Sequence, residues 1–298
     1  MNLRDFRYLV ALADTRHFGQ AATRCHVSQP TLSAQIKKLE HYLGVELIER
    51  QPRRIALTDM GEKVVERARR LLAEADGIQA LTRKEGDPLS GKLKVGLIPT
   101  IGPYLLPLVA RKLHKQLPKL QLMLYEYQTA VLLDKLHKGE IDVGILALPV
   151  DMDGLESQKL YDEDFLLAVP SDHPLAKKAR VKPEDLPGET LLLLEDGHCL
   201  RDQALAACSR VDVRESQDYR ATSLETLRQM VAAGLGVTLL PALAASGPFA
   251  TNRSLTLKPF SNPVPTRTVG AVWRKSSTRT AAIKAVGHLI HATMTDKT

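Results

Sequence analysis

The 298-residue sequence has only three cysteines. That is too few for a disulfide scaffold in a chain of this length. Its start, MNLRDFRYLVALAD, has charges interrupting the apolar residues, so no secretory h-region is expected there. A reducing cytoplasm is the expected compartment. Long apolar runs are scarce as well. One uncharged stretch, Met230 to Asn252, is long enough to raise the question of a membrane span. Gly234, Gly236, Pro241, Gly247 and Pro248 divide it, so it reads as buried helix, strand and loop. No GxGxxG, P-loop or HExxH motif occurs, which leaves nucleotide enzymes and zinc hydrolases without local support. Cys25-His26 and His198-Cys199 lack a second ligand pair at zinc-like spacing, so neither metal nor cofactor is expected.

What is present is ordinary globular usage, 44% hydrophobic and 25% charged, at about twice the typical length of one domain. Two folded units in three segments are expected. The net charge of +7 is concentrated at the N-terminus, where residues 1–58 carry nine Lys/Arg against five Asp/Glu. Such an excess suits a polyanionic partner.

Within that segment Phe6, Leu9, Val10 and Ala13 recur at helical spacing, as do Phe18, Ala21, Ala22 and Cys25. Cys25 itself reads as a buried small hydrophobe. Ser28 is placed to cap a third helix with Pro30 in its first turn, and Leu32, Ile36 and Leu39 form one apolar stripe. The opposite side carries Pro30, Thr31, Ala34, Lys37 and Lys38, flanked by Gln29, Ser33 and Gln35. A small polar face with few carboxylates suits entry into a major groove of double-stranded DNA, although a polar helix face is more often only solvated. The run from Leu47 to Thr58 reads as two short strands around a Pro/Arg turn, and Arg50, Arg53 and Arg54 would reach phosphates or the minor groove.

These residues carry a family resemblance. Phe18-Gly19-Gln20-Ala21-Ala22, then Ser28-Gln29-Pro30-Thr31-Leu32-Ser33, Gln35-Ile36, Leu39-Glu40, Leu43-Gly44, Leu47, Arg50 and Leu57-Thr58-Asp59-Met60-Gly61 resemble the winged helix-turn-helix of LysR-type transcriptional regulators. The resemblance implies a DNA-binding domain over residues 1–58 and a linker helix over 59–87 that pairs two chains. Thr58 is a fitting N-cap for that helix. Val64, Val65, Ala68, Leu71, Leu72, Ala75, Ile78 and Thr82 give it a broad apolar stripe in need of a partner.

From Gly91 strands and helices alternate: Leu93–Ile98, a helix from about Tyr104 to His114, Leu120–Tyr127, Thr129–Lys138 and Ile141–Ala147. This order predicts an α/β regulatory domain with largely parallel strands over residues 91–298. A second lobe starts near Phe165, and Thr268–Trp273 returns the chain to the first. The resemblance implies a periplasmic-binding-protein-like pair of lobes, about 91–162 with 268–298 and about 163–267. Thr222-Ser223-Leu224-Glu225 reads as a capping box opening a helix, with anion binding at its N-terminus the lesser reading.

Asp196 or Gly197 is placed to cap a helix that carries Cys199 in its first turn. Backbone N–H groups there favour thiolate over thiol, and His198 or Arg201 would add to the effect. A thiolate attacks an O–O bond to give a sulfenic acid. Two cysteines nine residues apart are weak evidence on spacing alone. However, Glu195–Ala204 with Cys208, Val95–Thr100, Gly102–Pro107, Arg220–Arg228 and Thr238–Ala244 together resemble the peroxide-sensing activators of the LysR family. That resemblance implies that Cys199 is the peroxidatic cysteine and Cys208 the resolving one. Thr100 and Thr129 would hold hydrogen peroxide, with His198, Asp202 and Arg267 as polar and cationic surroundings. Thr129 otherwise reads as a helix cap and Arg267 as a solvated loop residue. On a continuous helix the two cysteines are about 13.5 Å apart, against the roughly 4.4–6.8 Å a disulfide needs, so oxidation must unfold the helix. A dimer of dimers acting with RNA polymerase follows from the same resemblance. The competing readings are a LysR regulator whose cleft takes a small carboxylate or aromatic effector, and a thiol peroxidase fused to a DNA-binding domain. The favoured protein is a transcription factor and not an enzyme.

Overall fold

The apolar spacing of the first sixty residues produces α1 (Leu3–Thr15), α2 (Phe18–Arg24) and α3 (Gln29–Leu43), the antiparallel hairpin β1 (Ile48–Gln51) and β2 (Arg54–Leu57), and the helix α4 (Asp59–Thr82). The computed structural model describes residues 1–51, 54–82, 87–208, 214–246 and 254–296. The chain divides into two units, Met1–Gly86 with His137–Glu140 and Asp87–Leu136 with Ile141–Thr298.

In the first unit, Leu32, Ile36 and Leu39 of α3 are buried with Leu9, Leu12, Ala21 and Leu47. Each helix start has a side-chain cap. Asn2 and Asp5 form a reciprocal capping box on α1, His17 Nδ1 accepts from the Gly19 and Gln20 amides on α2, and Ser28 Oγ accepts from Thr31 N on α3. Glu40 Oε1 accepts from Leu47 N at 2.9 Å and Ile48 N at 3.1 Å, which fixes the hairpin to the end of α3. Thr58 caps α4 as expected: its hydroxyl accepts from Gly61 N at 2.9 Å and donates to Glu46 O at 2.8 Å. Gly61 has a steric reason. A Cβ on it would lie 2.1 Å from the Leu47 carbonyl oxygen.

The second unit contains β3 (Gly91–Leu97), α5 (Gly102–Gln116), β4 (Leu120–Glu126), α6 (Thr129–His137), β5 (Val143–Leu148), β6 (Leu155–Pro170), β7 (Thr190–Leu194), α7 (Cys199–Ala207), β8 (Arg214–Ala221), α8 (Leu224–Ala232), β9 (Thr238–Pro241), β10 (Leu255–Pro259), β11 (Thr266–Arg274) and α9 (Thr280–Thr295). The main sheet has the order β10-β6-β11-β5-β3-β4, with β9 also on β6, and β7 pairs with β8 separately. Two apolar cores form. One gathers Leu93, Val95, Ile145, Val269, Trp273 and Ile283, and the other Phe165, Leu167, Leu192, Leu227, Leu240 and Phe260.

Among the described strands, parallel ladders join β3 with β4 and β5, and β7 with β8, and isolated parallel bridges join Val181 to Phe260 and Leu191 to Val237. The expectation of a largely parallel sheet therefore needs correction, because β11 is antiparallel to both β5 and β6, and β6 is antiparallel to β9 and β10. β6 carries the chain from one lobe into the other and β11 brings it back, so the two crossing strands oppose each other. The pattern located only the second half of β6. Its first half, with Glu156, Lys159, Asp162, Glu163 and Asp164, lacks clean apolar alternation, yet it pairs with β11 from Leu155 onward. The uncharged stretch after Met230 is broken as expected, into the end of α8, a turn with Gly234 at φ +79°, and β9. No described helix is long and apolar enough to cross a membrane. The capping register at α8 is one residue later than read: Ser223, not Thr222, is the cap, accepting from Thr226 N at 3.2 Å.

Gly61→Ala tests the packing of α4 on the hairpin. Alanine gains about 1 kcal/mol of helix propensity, but overpacking against a backbone carbonyl costs about 1–3 kcal/mol. The full chain is expected to melt at a lower temperature than wild type. An unchanged or raised Tm would show that α4 shifts freely.

Candidate functional site

The first unit presents the expected face. Gln29, Pro30, Thr31, Ala34, Lys37 and Lys38 are exposed on α3, and Ser33 and Gln35 are half-buried beside them. Thr31 also serves the cap, its Oγ1 lying 2.7 Å from Ser28 Oγ. Arg50 and Arg54 fall in the two hairpin strands, opposite Ile55 and Gln51. Arg53 lies outside the described residues. Cys25 is half-buried at the end of α2, and burial pushes its thiol pKa up against the smaller pull of Arg24.

The second unit brings the other candidates into two clusters. In the first, His198, and not Asp196 or Gly197, occupies the position before α7, and its side chain makes no capping bond. Cys199 is the first helical residue. Gly197 bends the chain there at φ +95°, and a Cβ on it would lie 2.8 Å from Gln128 Oε1. Gln128 Nε2 is 3.2 Å from His198 Nε2 and 3.3 Å from Glu195 Oε1. Burial lowers the His198 pKa, with Glu195 and Glu126 pulling the other way. The neutral ring protonated at Nδ1 can accept the Gln128 amide at Nε2. Thr129, next to Gln128, is the first residue of α6, and its buried hydroxyl has no hydrogen-bond partner, so it does not cap that helix.

The second cluster is centred on Arg267, which is no solvated loop residue: its side chain is 0% exposed on β11. Its Nε donates to Glu163 Oε2 at 2.8 Å, its Nη1 to Thr100 Oγ1 and its Nη2 to Thr100 O, both at 3.0 Å. Glu163 Oε1 accepts from Leu243 N at 2.7 Å, and the guanidinium carbon lies 6.0 Å from the centre of the Phe165 ring. Electrostatics couple the clusters. Glu126 acts on both His198 and Tyr104, and Arg267 acts on Tyr104.

Asp202 does not join either cluster. It is exposed in the first turn of α7 and acts electrostatically on Arg201. Arg201 itself is held by Asp196 at 3.0 Å and Glu215 at 2.6 Å, and Arg220 closes the group by pairing with Asp196 at 2.9 Å. Its charge is thus compensated by two carboxylates. Gln128 and Glu163 are the residues that sequence reasoning missed. Neither sits in a chemical motif, and Glu163 meets Arg267 only across 104 positions of chain.

The two thiols belong to different surroundings. Cys199 is half-buried and packs against the core of the lobe containing β3. Cys208, at the other end of α7, is part of the core of the other lobe, where burial raises its pKa. The helix between them is unbroken, so their Cα atoms are separated by about 13 Å along its axis. Among the described residues no group of three or more His, Cys, Asp or Glu is placed to hold a metal ion.

Residues 3–62 match the bacterial regulatory helix-turn-helix protein, lysR family, and residues 86–295 match the LysR substrate binding domain. The chain is 48% identical over 294 residues to the DNA-binding transcriptional dual regulator OxyR of Escherichia coli K12, covering 99% of this chain and 96% of that one. A full-length OxyR variant from Pseudomonas aeruginosa has a similar structure, with a TM-score of 0.83 at 44% identity and 98% of each chain covered. A hydrogen-peroxide-bound OxyR variant from Corynebacterium glutamicum gives a TM-score of 0.68 at 37% identity over 99% of this chain and 93% of that one. The chain belongs to the LysR family of bacterial helix-turn-helix regulators, within its OxyR group.

Proposed function

We propose that this chain is a peroxide-responsive transcriptional activator in which oxidation of Cys199 and its linkage to Cys208 switch the regulatory domain. The observation that carries the reading is the placement of the two thiols at opposite ends of α7, each packed with a different lobe. The Cys199 thiolate attacks one oxygen of hydrogen peroxide. The O–O bond breaks, the departing hydroxide takes a proton to leave as water, and a sulfenic acid remains. The Cys208 thiolate then attacks that sulfur, forming the S–S bond and releasing the sulfenic oxygen as a second water. A disulfide cannot span α7 as folded, so its formation rebuilds the segment and holds the changed state. Thr100 and Thr129 supply hydroxyls for peroxide, and His198 and Arg267 supply the polar and cationic surroundings. The orphaned Thr129 hydroxyl, a buried group without a partner, supports a ligand at that position. Asp202, exposed in the first turn of α7, adds a negative charge near Arg201 at the edge of these surroundings.

The remaining parts follow the same reading. Gln29, Pro30, Thr31, Ser33, Gln35 and Lys37 enter the major groove of promoter DNA, and Arg50, Arg53 and Arg54 bind DNA as well. Met60, Leu71 and Ile78 are large apolar residues exposed on α4, which supports pairing of two chains there and a dimer of dimers overall. The assembly acts with RNA polymerase in the cytoplasm, and the chain regulates without turning over a substrate.

The direct test is peptide mass spectrometry after a stoichiometric pulse of peroxide and a thiol-blocking quench. The expected product is a Cys199–Cys208 linked peptide two hydrogens lighter. Cys199→Ser is expected to keep DNA binding and lose the peroxide response, and a variant that still responds would remove this mechanism. The second step should quicken with pH, because burial holds Cys208 protonated at neutrality. Below the thiol pKa the thiolate fraction rises about tenfold per pH unit, so a flat rate between pH 6.5 and 8 would show that rearrangement of α7, and not attack by the Cys208 thiolate, limits the second step. On DNA, Lys37→Ala should weaken binding to all sequences and reduce the salt slope by about 0.9. Gln29→Ala should instead relax base preference by about 1–3 kcal/mol, as read in competition binding.

A further inference from the structure

We infer that Gln128 is a positioning residue for the chemistry of Cys199: it holds the thiol-bearing loop on the lobe that contains α6, favouring reaction with peroxide and opposing transfer to Cys208. The inference rests on the peroxide reading above. Gln128 lies between β4 and α6, and its carbonyl accepts from Leu132 N at 2.9 Å in the first turn of α6, so its backbone is anchored. Its side-chain amide reaches across to the loop before α7, with Nε2 3.2 Å from His198 Nε2 and 3.3 Å from Glu195 Oε1. Gly197 approaches the same amide, where a Cβ would lie 2.8 Å from Oε1 and displace the side chain. Three of the four residues preceding Cys199 therefore meet one side chain.

The consequence for the thiol is geometric. His198 is joined to Cys199 by one peptide bond and makes no capping bond of its own to orient it. Its ring is oriented by Gln128, and the ring and the loop together set where Sγ of Cys199 points. The same loop is also held on the side of Cys208: Asp196 pairs with Arg220 at 2.9 Å, and Glu195 N donates to the carbonyl of Ala221 at 2.9 Å, a residue of the core that contains Cys208, so Gln128 is the counterweight on the α6 side. Gln128 thus acts with opposite sign on the two steps. It aligns the thiol for O–O cleavage, and it must release the loop before the sulfenic sulfur reaches Cys208.

The test separates the steps in the full-length protein. Sulfenic acid formation is followed in a Cys208→Ser background by rapid trapping with a dimedone-type probe. Disulfide formation is followed in the presence of both cysteines by quenched-flow mass spectrometry. Gln128→Ala is expected to slow the first step by about tenfold or more, the scale of a misplaced reacting group. It should quicken the second by about threefold, the scale of a lost hydrogen bond. Gln128→Glu, which keeps the shape but sets a carboxylate against Glu195, should, like Gln128→Ala, slow the first step and quicken the second. Thermal melting and DNA binding of each variant confirm folding. A merely structural role slows both steps together, and that result overturns the inference, as does either variant matching wild type. Wild-type protein that forms no sulfenic acid overturns the peroxide reading and this inference with it. A reactive wild type with an unaltered first step in Gln128→Ala overturns this inference alone.

Discussion

Burying a guidinium and a carboxylate together is costly, and the pair Arg267–Glu163 succeeds because almost every polar atom of it finds a partner. The two side chains are 0% and 3% exposed. Removing one partner of such a pair strands the other charge, at a cost of about 3–5 kcal/mol. The geometry is therefore held tightly. Arg267 stands on β11 and Glu163 on β6, the two strands that cross between lobes. Their remaining bonds run to Thr100, just beyond β3, and to Leu243, just beyond β9. One ion pair thus joins segments from both lobes at the place where the chain crosses twice.

Around that fixed point the α7 region is attached differently. On one side the loop before Cys199 rests on Gln128, through two polar contacts and a glycine with no side chain. On the other, Asp196, Arg201, Glu215 and Arg220 form a partly exposed ionic group. The pairs made by Asp196, whose side chain is 74% exposed, contribute little stability each, whereas the buried Arg267–Glu163 pair cannot be broken cheaply. The molecule therefore combines a rigid crossing of strands with a segment whose attachments are weak enough to exchange. The proposed switch draws on that contrast, since a covalent event at one segment would rearrange it while the strand crossing stays intact.

Much of the fold was legible because its elements are locally specified. Ser28, Pro30 and the Leu32, Ile36 and Leu39 stripe define α3 by caps and period, and the structure buries that stripe and exposes the polar side as the spacing required. Thr58 was readable as a cap for the same reason. The first half of β6 was not, because its burial is set by pairing with β11 and by a carboxylate that becomes acceptable only beside Arg267. The cap of α7 was misplaced by one or two residues, since Gly197 is there for its positive φ and for its close approach to Gln128.

The sequence by itself determined the order of the domains, the polar face of α3, a helix with Cys199 in its first turn, and the spacing of the two cysteines along it. Each of these depends on residues within a few positions of one another. Only the tertiary structure decided that Arg267 is a buried partner of Glu163, that Asp202 faces solvent, that Gln128 receives the Cys199 loop, and that Cys199 packs against one core while Cys208 lies in another. The two contacts among these join residues 104 and 70 positions apart. Local propensity carries no information about which distant surfaces meet, and packing supplies it.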